Sequence, residues 1–131
     1  MLFRSEPATQ AEAAERCRKQ GGYLAQIETA AENAAVLAAA LKSETGPAYL
    51  WIAGYRPEGA NEWLFETKKK PLTFFYRGID RLNASDEGPC ALAIVVDSPI
   101  AYWQALKPQA RTAGFICEWN DDVLPQGRTE P

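Results

Sequence analysis

Tyr49-Leu50-Trp51-Ile52-Ala53-Gly54 carries no charge, and every residue of it but the glycine is aromatic or aliphatic. Gly46-Pro47 ahead of it and Pro57-Glu58-Gly59 behind it supply breaks of the kind that bound a strand. Side chains alternate along a strand, so Leu50 and Ile52 fall on one face and Tyr49, Trp51 and Ala53 on the other. A strand apolar on both faces needs partners on both, which makes this the buried centre of a sheet.

Two amphipathic helices are expected upstream. Leu2-Phe3 reads as a short first strand ended by Pro7, and Thr9-Gln10-Ala11-Glu12 then has capping-box spacing, with a hydroxyl for a first-turn amide and a carboxylate reaching back to the amide of Thr9. The helix that starts there runs to about Gln20. It has Ala13, Ala14 and Cys17 on one face, and Glu12–Arg16 and Glu15–Lys19 as opposite charges four residues apart on the other. Gly21-Gly22 stops it. Tyr23-Leu24-Ala25-Gln26-Ile27 is a short extended segment, and Thr29-Ala30-Ala31-Glu32 repeats the capping box. The second helix reaches about Lys42, with Val36, Leu37, Ala40 and Leu41 as its buried stripe.

Downstream the pattern changes to short strands and long connections. Arg56-Pro57-Glu58-Gly59 reads as a turn, Glu62-Trp63-Leu64-Phe65 as a half-buried strand, and residues 72–76 as an apolar, aromatic run. Residues 77–89 are polar and turn-rich, a length that in a compact domain points to function or to disorder. Residues 90–96, 101–106 and 112–118 read as three strands joined through Asp97-Ser98-Pro99 and Lys107-Pro108. Helices first and strands after them give an α+β domain over residues 1–121, with 122–131 as a tail or linker.

Composition narrows the function. The 131 residues suit one domain with its own core, and no apolar run is long enough to cross a bilayer. A net charge of −3 argues against a nucleic-acid surface, and the basic run Lys68-Lys69-Lys70 reads as a solvated turn. With no histidine there is no histidine-based triad or imidazole metal ligand, so any catalysis would fall to carboxylates, Lys, Tyr or Cys. Met1-Leu2-Phe3-Arg4 leads straight into helix-forming sequence without the pattern of a secretory signal, which leaves either an excised domain or a chain that stays inside the cell.

The order of residues resembles the C-type lectin-like domain. The resemblance runs through Cys17, residues 21–27, Glu32-Asn33, Trp51-Ile52-Ala53-Gly54, residues 61–65, Cys90, Tyr102-Trp103 and residues 114–118, and so covers residues 2 to 119. It implies a double-loop fold of two helices on a twisted antiparallel sheet, with both ends of the chain in that sheet and ligand contacts on the long loop between the later strands. It also implies a disulfide between Cys17 and Cys117, the alternative being two buried thiols. Cys90 is the odd cysteine. Its counterpart in the fuller family pattern pairs with a cysteine shortly after the tryptophan matched by Trp103, and Leu106-Lys107-Pro108-Gln109 has none. A buried thiol or an intermolecular bridge remains for it.

The family's calcium and sugar site needs a proline flanked by carboxylates or amides in the loop, and Asn-Asp directly after the tryptophan. Here Pro89 lies between Gly88 and Cys90, Trp103 is followed by Gln104-Ala105, and the Trp119-Asn120-Asp121 sequence comes after the final strand. No metal or cofactor is therefore expected. The ligand-binding residues expected from the resemblance are Arg77, Asp80, Arg81, Asn83, Asp86 and Glu87 of the loop, with Tyr102 and Gln104 beside them. Asn83-Ala84-Ser85 is also a glycosylation sequon, which matters only in a secreted eukaryotic chain.

Two function classes meet here. One is a calcium-independent binding module for a protein, or second to that a glycan, at the cell surface or outside the cell. The other is an enzyme, since the formylglycine-generating enzymes share a related fold, but those chains are much longer and act through a pair of nearby cysteines that is missing here. A scaffold or regulatory role in a larger, bacterial protein is a third reading, and a calcium-dependent sugar lectin returns if the loop acids form a non-standard site.

Overall fold

The computed structural model describes residues 2–43, 48–57, 63–65 and 89–119. The expected run at 72–76, the loop 77–88 and the tail 122–131 lie outside them. The elements in chain order are β1 (Leu2–Arg4), α1 (Gln10–Lys19), β2 (Tyr23–Leu24), α2 (Ala30–Ser43), β3 (Ala48–Arg56), β4 (Cys90–Asp97), β5 (Ile100–Leu106) and β6 (Gly114–Glu118).

The strands form one sheet in the order β1-β6-β3-β4-β5, with β2 also pairing on β6. β3 is therefore central, as its composition requires. The sheet is mixed rather than antiparallel, because β6 runs parallel to β3 through Leu50↔Gly114 and Trp51↔Phe115. β3, β4 and β5 alternate in direction. After β5 the chain crosses to the middle of the sheet, and this crossing makes the last pairing parallel. It also brings β6 beside β1, in the register Leu2↔Cys117 to Arg4↔Phe115.

The alternation read from β3 sorts the core into two clusters. Leu50 and Ile52 join Val36 and Ala40 of α2 together with Leu92, Ile94, Val96, Trp103 and Ile116. Trp51 and Ala53 join Ala13 and Cys17 of α1 together with Ala91, Ala93, Phe115 and Cys117. Each helix thus packs against its own face of β3. The α1-side cluster contains the Cys17–Cys117 disulfide, whose Cα atoms are 5.5 Å apart across a sequence separation of 100.

The helix starts follow their chemistry with one difference. Thr9 forms the full capping box, accepting from the Glu12 amide at 3.2 Å while Glu12 Oε1 accepts from the Thr9 amide at 3.1 Å. At α2 the Thr29 hydroxyl accepts from the Glu32 amide at 3.1 Å, but the Glu32 carboxylate takes the Glu28 amide instead of that of Thr29. The charge pairs expected along α1 also rearrange. Arg16 meets Glu6, Arg18 meets Glu15, and Glu12 meets Arg111 of the crossing connection. Long side chains at a surface take whichever partner the tertiary structure brings near, and such exposed pairs contribute little individually.

Candidate ligand-binding site

Six of the expected binding residues, Arg77, Asp80, Arg81, Asn83, Asp86 and Glu87, lie outside the described residues. The remaining two, Tyr102 and Gln104, stand two apart on β5 and so share one face of the sheet, opposite that of Trp103. The register separates their surroundings. Gln104 sits across from Ala93, which in turn faces Trp51. Tyr102 sits across from Val95, which faces Tyr49, two pairs further from the end of the sheet where the segment 57–89 leaves and returns. Gln104 is thus close to the roots of that segment, while Tyr102 belongs to a row with Tyr49.

Three features at this site escaped the sequence reading. Tyr49 is 37% exposed, and Ile100, on the same face at the β4–β5 turn, is 57% exposed. Alternation states which face a side chain joins but not what covers that face. The third feature is Arg56, read as part of a turn. It is the last residue of β3, pairs in register with Cys90, and is only 8% exposed. Its guanidinium lies 5.8 Å from the centroid of the Trp63 ring and donates to the Cys90 sulfur at 3.4 Å. A cation over an aromatic face and against a polarisable sulfur is held electrostatically where water is excluded. The two ends of the segment 57–89 are joined by this contact. The burial of Cys90 disfavours an intermolecular bridge through it.

The tryptophan of β5 is fixed from below. Trp103 Nε1 donates to Asn33 Oδ1 of α2 at 2.8 Å in the buried α2-side cluster. The residues after it, Gln104 and Ala105, offer one neutral amide and a methyl group, and no carboxylate. Among the described residues no three carboxylates or thiols are grouped so as to hold a metal ion, and no helix is long and apolar enough to cross a membrane.

A perturbed carboxyl, that of Glu118, lies away from this site. Burial pushes Glu118 above the usual carboxylate range, the Gln26 amide bonded to it at 2.8 Å pulls it down, and the charges of Glu32 and Glu28 raise it further.

Residues 6–119 match the family model of the lectin C-type domain. No curated protein matches the chain by sequence. Among solved structures, human lithostathine at 1.3 Å superposes with a TM-score of 0.78 at 19% identity, covering 92% of this chain and 82% of that one. EMS16, described as an antagonist of the collagen receptor integrin α2β1, superposes with a TM-score of 0.59 at 23% identity over 88% of this chain and 86% of its own. Rhodocetin gives 0.56 at 19% identity, over 88% and 84%.

Proposed function

Because this chain belongs to the C-type lectin domain family, whose members are generally binding modules rather than enzymes, we propose that it is a non-enzymatic, calcium-independent module that recognises a protein. The residues that would contact it are those of 77–87 together with Gln104 and Tyr102. The observation that carries calcium independence is the pair after Trp103. Ca²⁺ takes six to eight oxygen ligands, and sites with few charged ones bind at the millimolar end of the range at best. Gln104 and Ala105 provide no charge where the family's site requires Asn-Asp.

A protein partner is supported by the exposed side chains of Tyr49 and Ile100 and the half-buried Tyr102 on one face, a composition that suits protein interfaces. The description of EMS16, whose target is a receptor protein, points the same way. A disulfide in a family of this kind fits a place at the cell surface or outside the cell.

Calorimetric titration with calcium, and thermal melts with and without EDTA, test the reading. No heat at micromolar calcium and coincident melts are expected. A micromolar site, or a melt raised by several degrees, would overturn it and return calcium-dependent sugar binding to first place.

A further inference from the structure

The β3–β4 ladder pairs Leu50 with Ile94 and Trp51 with Ala93, then resumes at Tyr55 with Ala91 and Arg56 with Cys90. Ile52, Ala53 and Gly54 lie between the two stretches, opposite Leu92 alone, so β3 carries an insertion at the foot of the segment 57–89. The insertion occurs where Ile52 and Ala53 are buried, and a backbone carbonyl left without a donor there costs its desolvation in full.

The donors come from α1. Gln10, 2% exposed, donates through Nε2 to the Ile52 carbonyl at 3.0 Å and to the Gly54 carbonyl at 2.9 Å, using both hydrogens of its amide. The Ala53 amide donates to the Ala25 carbonyl at 2.8 Å on another element. Gly54 has φ +155°, and a Cβ there would stand 2.4 Å from Leu92 Cδ1, so the bulge also depends on glycine. Gln10 is held rigidly because it directly follows the Thr9 cap, and Ala8 before it bridges to Thr112 and accepts from Trp51 Nε1 at 2.8 Å.

α1 itself has no need of an amide at this position, since the first residue of a helix tolerates most side chains. We infer that Gln10 is a positioning residue for the ligand-bearing segment. By occupying the two carbonyls of the bulge it sets the direction in which β3 runs on through Tyr55 and Arg56 to its end, and with it the bridge Tyr55↔Leu64 and the Arg56–Cys90 contact that close the root. The inference rests on the proposal that this segment carries the ligand, but its test uses no ligand, so the two can fail separately.

The test is site-resolved amide exchange on the full chain, with the rate of Cys90 alkylation by iodoacetamide as a second readout. In Gln10→Leu the amides of Ala53, Tyr55 and Leu64 should exchange about ten-fold faster or more, and Cys90 should react faster, while Ala13 and Asn33, whose amides close helical turns, keep their rates. Gln10→Glu separates positioning from bulk destabilisation. Ionised, it opposes both carbonyls; protonated, it can donate to one, so protection at Ala53, Tyr55 and Leu64 should recover as pH falls. Equal acceleration at all five amides would reduce Gln10 to a general stabiliser, and unchanged rates would remove it from the root altogether. If Gln10→Leu does not fold, the pH-dependent recovery in Gln10→Glu decides, and its absence overturns the inference.

Discussion

The two helices begin with nearly the same sequence and are held by different physics. α1 is held by directed bonds: a complete capping box, a disulfide from Cys17 to β6, the Gln10 amide on β3, and an ion pair from Glu12 to Arg111. α2 is held by a stripe of apolar contact, Val36 and Ala40 flanked by Leu37 and Leu41, with a buried hydrogen bond from Trp103 to Asn33. Directed bonds fix orientation, whereas apolar contact is non-directional and supplies stability in proportion to area. α1 therefore orients the parts that meet around it, namely β1 with β6 and the root of the segment 57–89, and α2 supports the sheet from the other side.

Substitutions can break or sharpen that contrast. The largest effect should come from Trp51→Ala, because Trp51 is fully buried in the α1-side cluster and its indole donates to Ala8 just ahead of α1. A loss of about 3–5 kcal/mol is expected in denaturant unfolding, and a loss under about 1 kcal/mol would take the residue out of the centre. Cys17→Ala should follow, at about 2–5 kcal/mol, since a loop of this length gives about 4–5 kcal/mol in the chain-entropy model. Peptide mapping without reductant should recover Cys17 linked to Cys117 in the parent chain, and a Cys90 linkage to either would refute the pairing.

On the α2 side, Asn33→Ala removes the buried oxygen to which the Trp103 indole donates and should cost about 1–3 kcal/mol by thermal melting. The caps give a matched pair. Thr9→Ala should cost about 1 kcal/mol, and Thr29→Ala measurably less, because its site is exposed and its box lacks the return bond. Equal losses would show that the two starts are equivalent after all.

The smallest effect concerns charge. With its carboxyl raised above the unfolded value, Glu118 binds a proton more readily in the folded chain, so its contribution to stability falls as pH rises through the ordinary carboxylate range toward the raised value. Glu118→Gln keeps an oxygen for the Gln26 amide and removes the repulsion from Glu32 and Glu28. The variant should melt higher than the parent near neutral pH and match it below pH 4 or so, where both forms are neutral. A parent that loses stability as it is acidified through that range, relative to the variant, would reverse the sign.

Local periodicity made much of this legible. Period-two alternation assigned Leu50, Ile52, Trp51 and Ala53 to the faces they occupy, because a stretch buried on both faces leaves no freedom about which residues point where. Capping chemistry located both helix starts within a residue. The parallel β3–β6 pairing was not legible, since neighbour order in a sheet depends on where a connection crosses, which no local window contains. Arg56 shows the same limit at the site: next to Pro57-Glu58-Gly59 it reads as a turn residue, and only the folded chain brings Trp63 and Cys90 around it. Of the expected binding residues, Gln104 stands nearer the root of the segment and Tyr102 two pairs further off, a distinction that depends on register rather than on residue type.

The junction of β1 with β6 has a mechanical consequence. Leu2 opposes Cys117 and Arg4 opposes Phe115, so tension applied at residues 2 and 119 would peel the two strands apart bond by bond from their outer end, a soft unzipping geometry. The pull would then pass to the covalent link between Cys17 and Cys117, and everything strung between those two cysteines would be bypassed. Stretched in oxidising buffer, a single molecule should lengthen only by the short arm ahead of Cys17. In reductant it should release the contour of the entire intervening chain. A domain tugged by a bound partner would in this way give a little at its margin while its interior kept its shape.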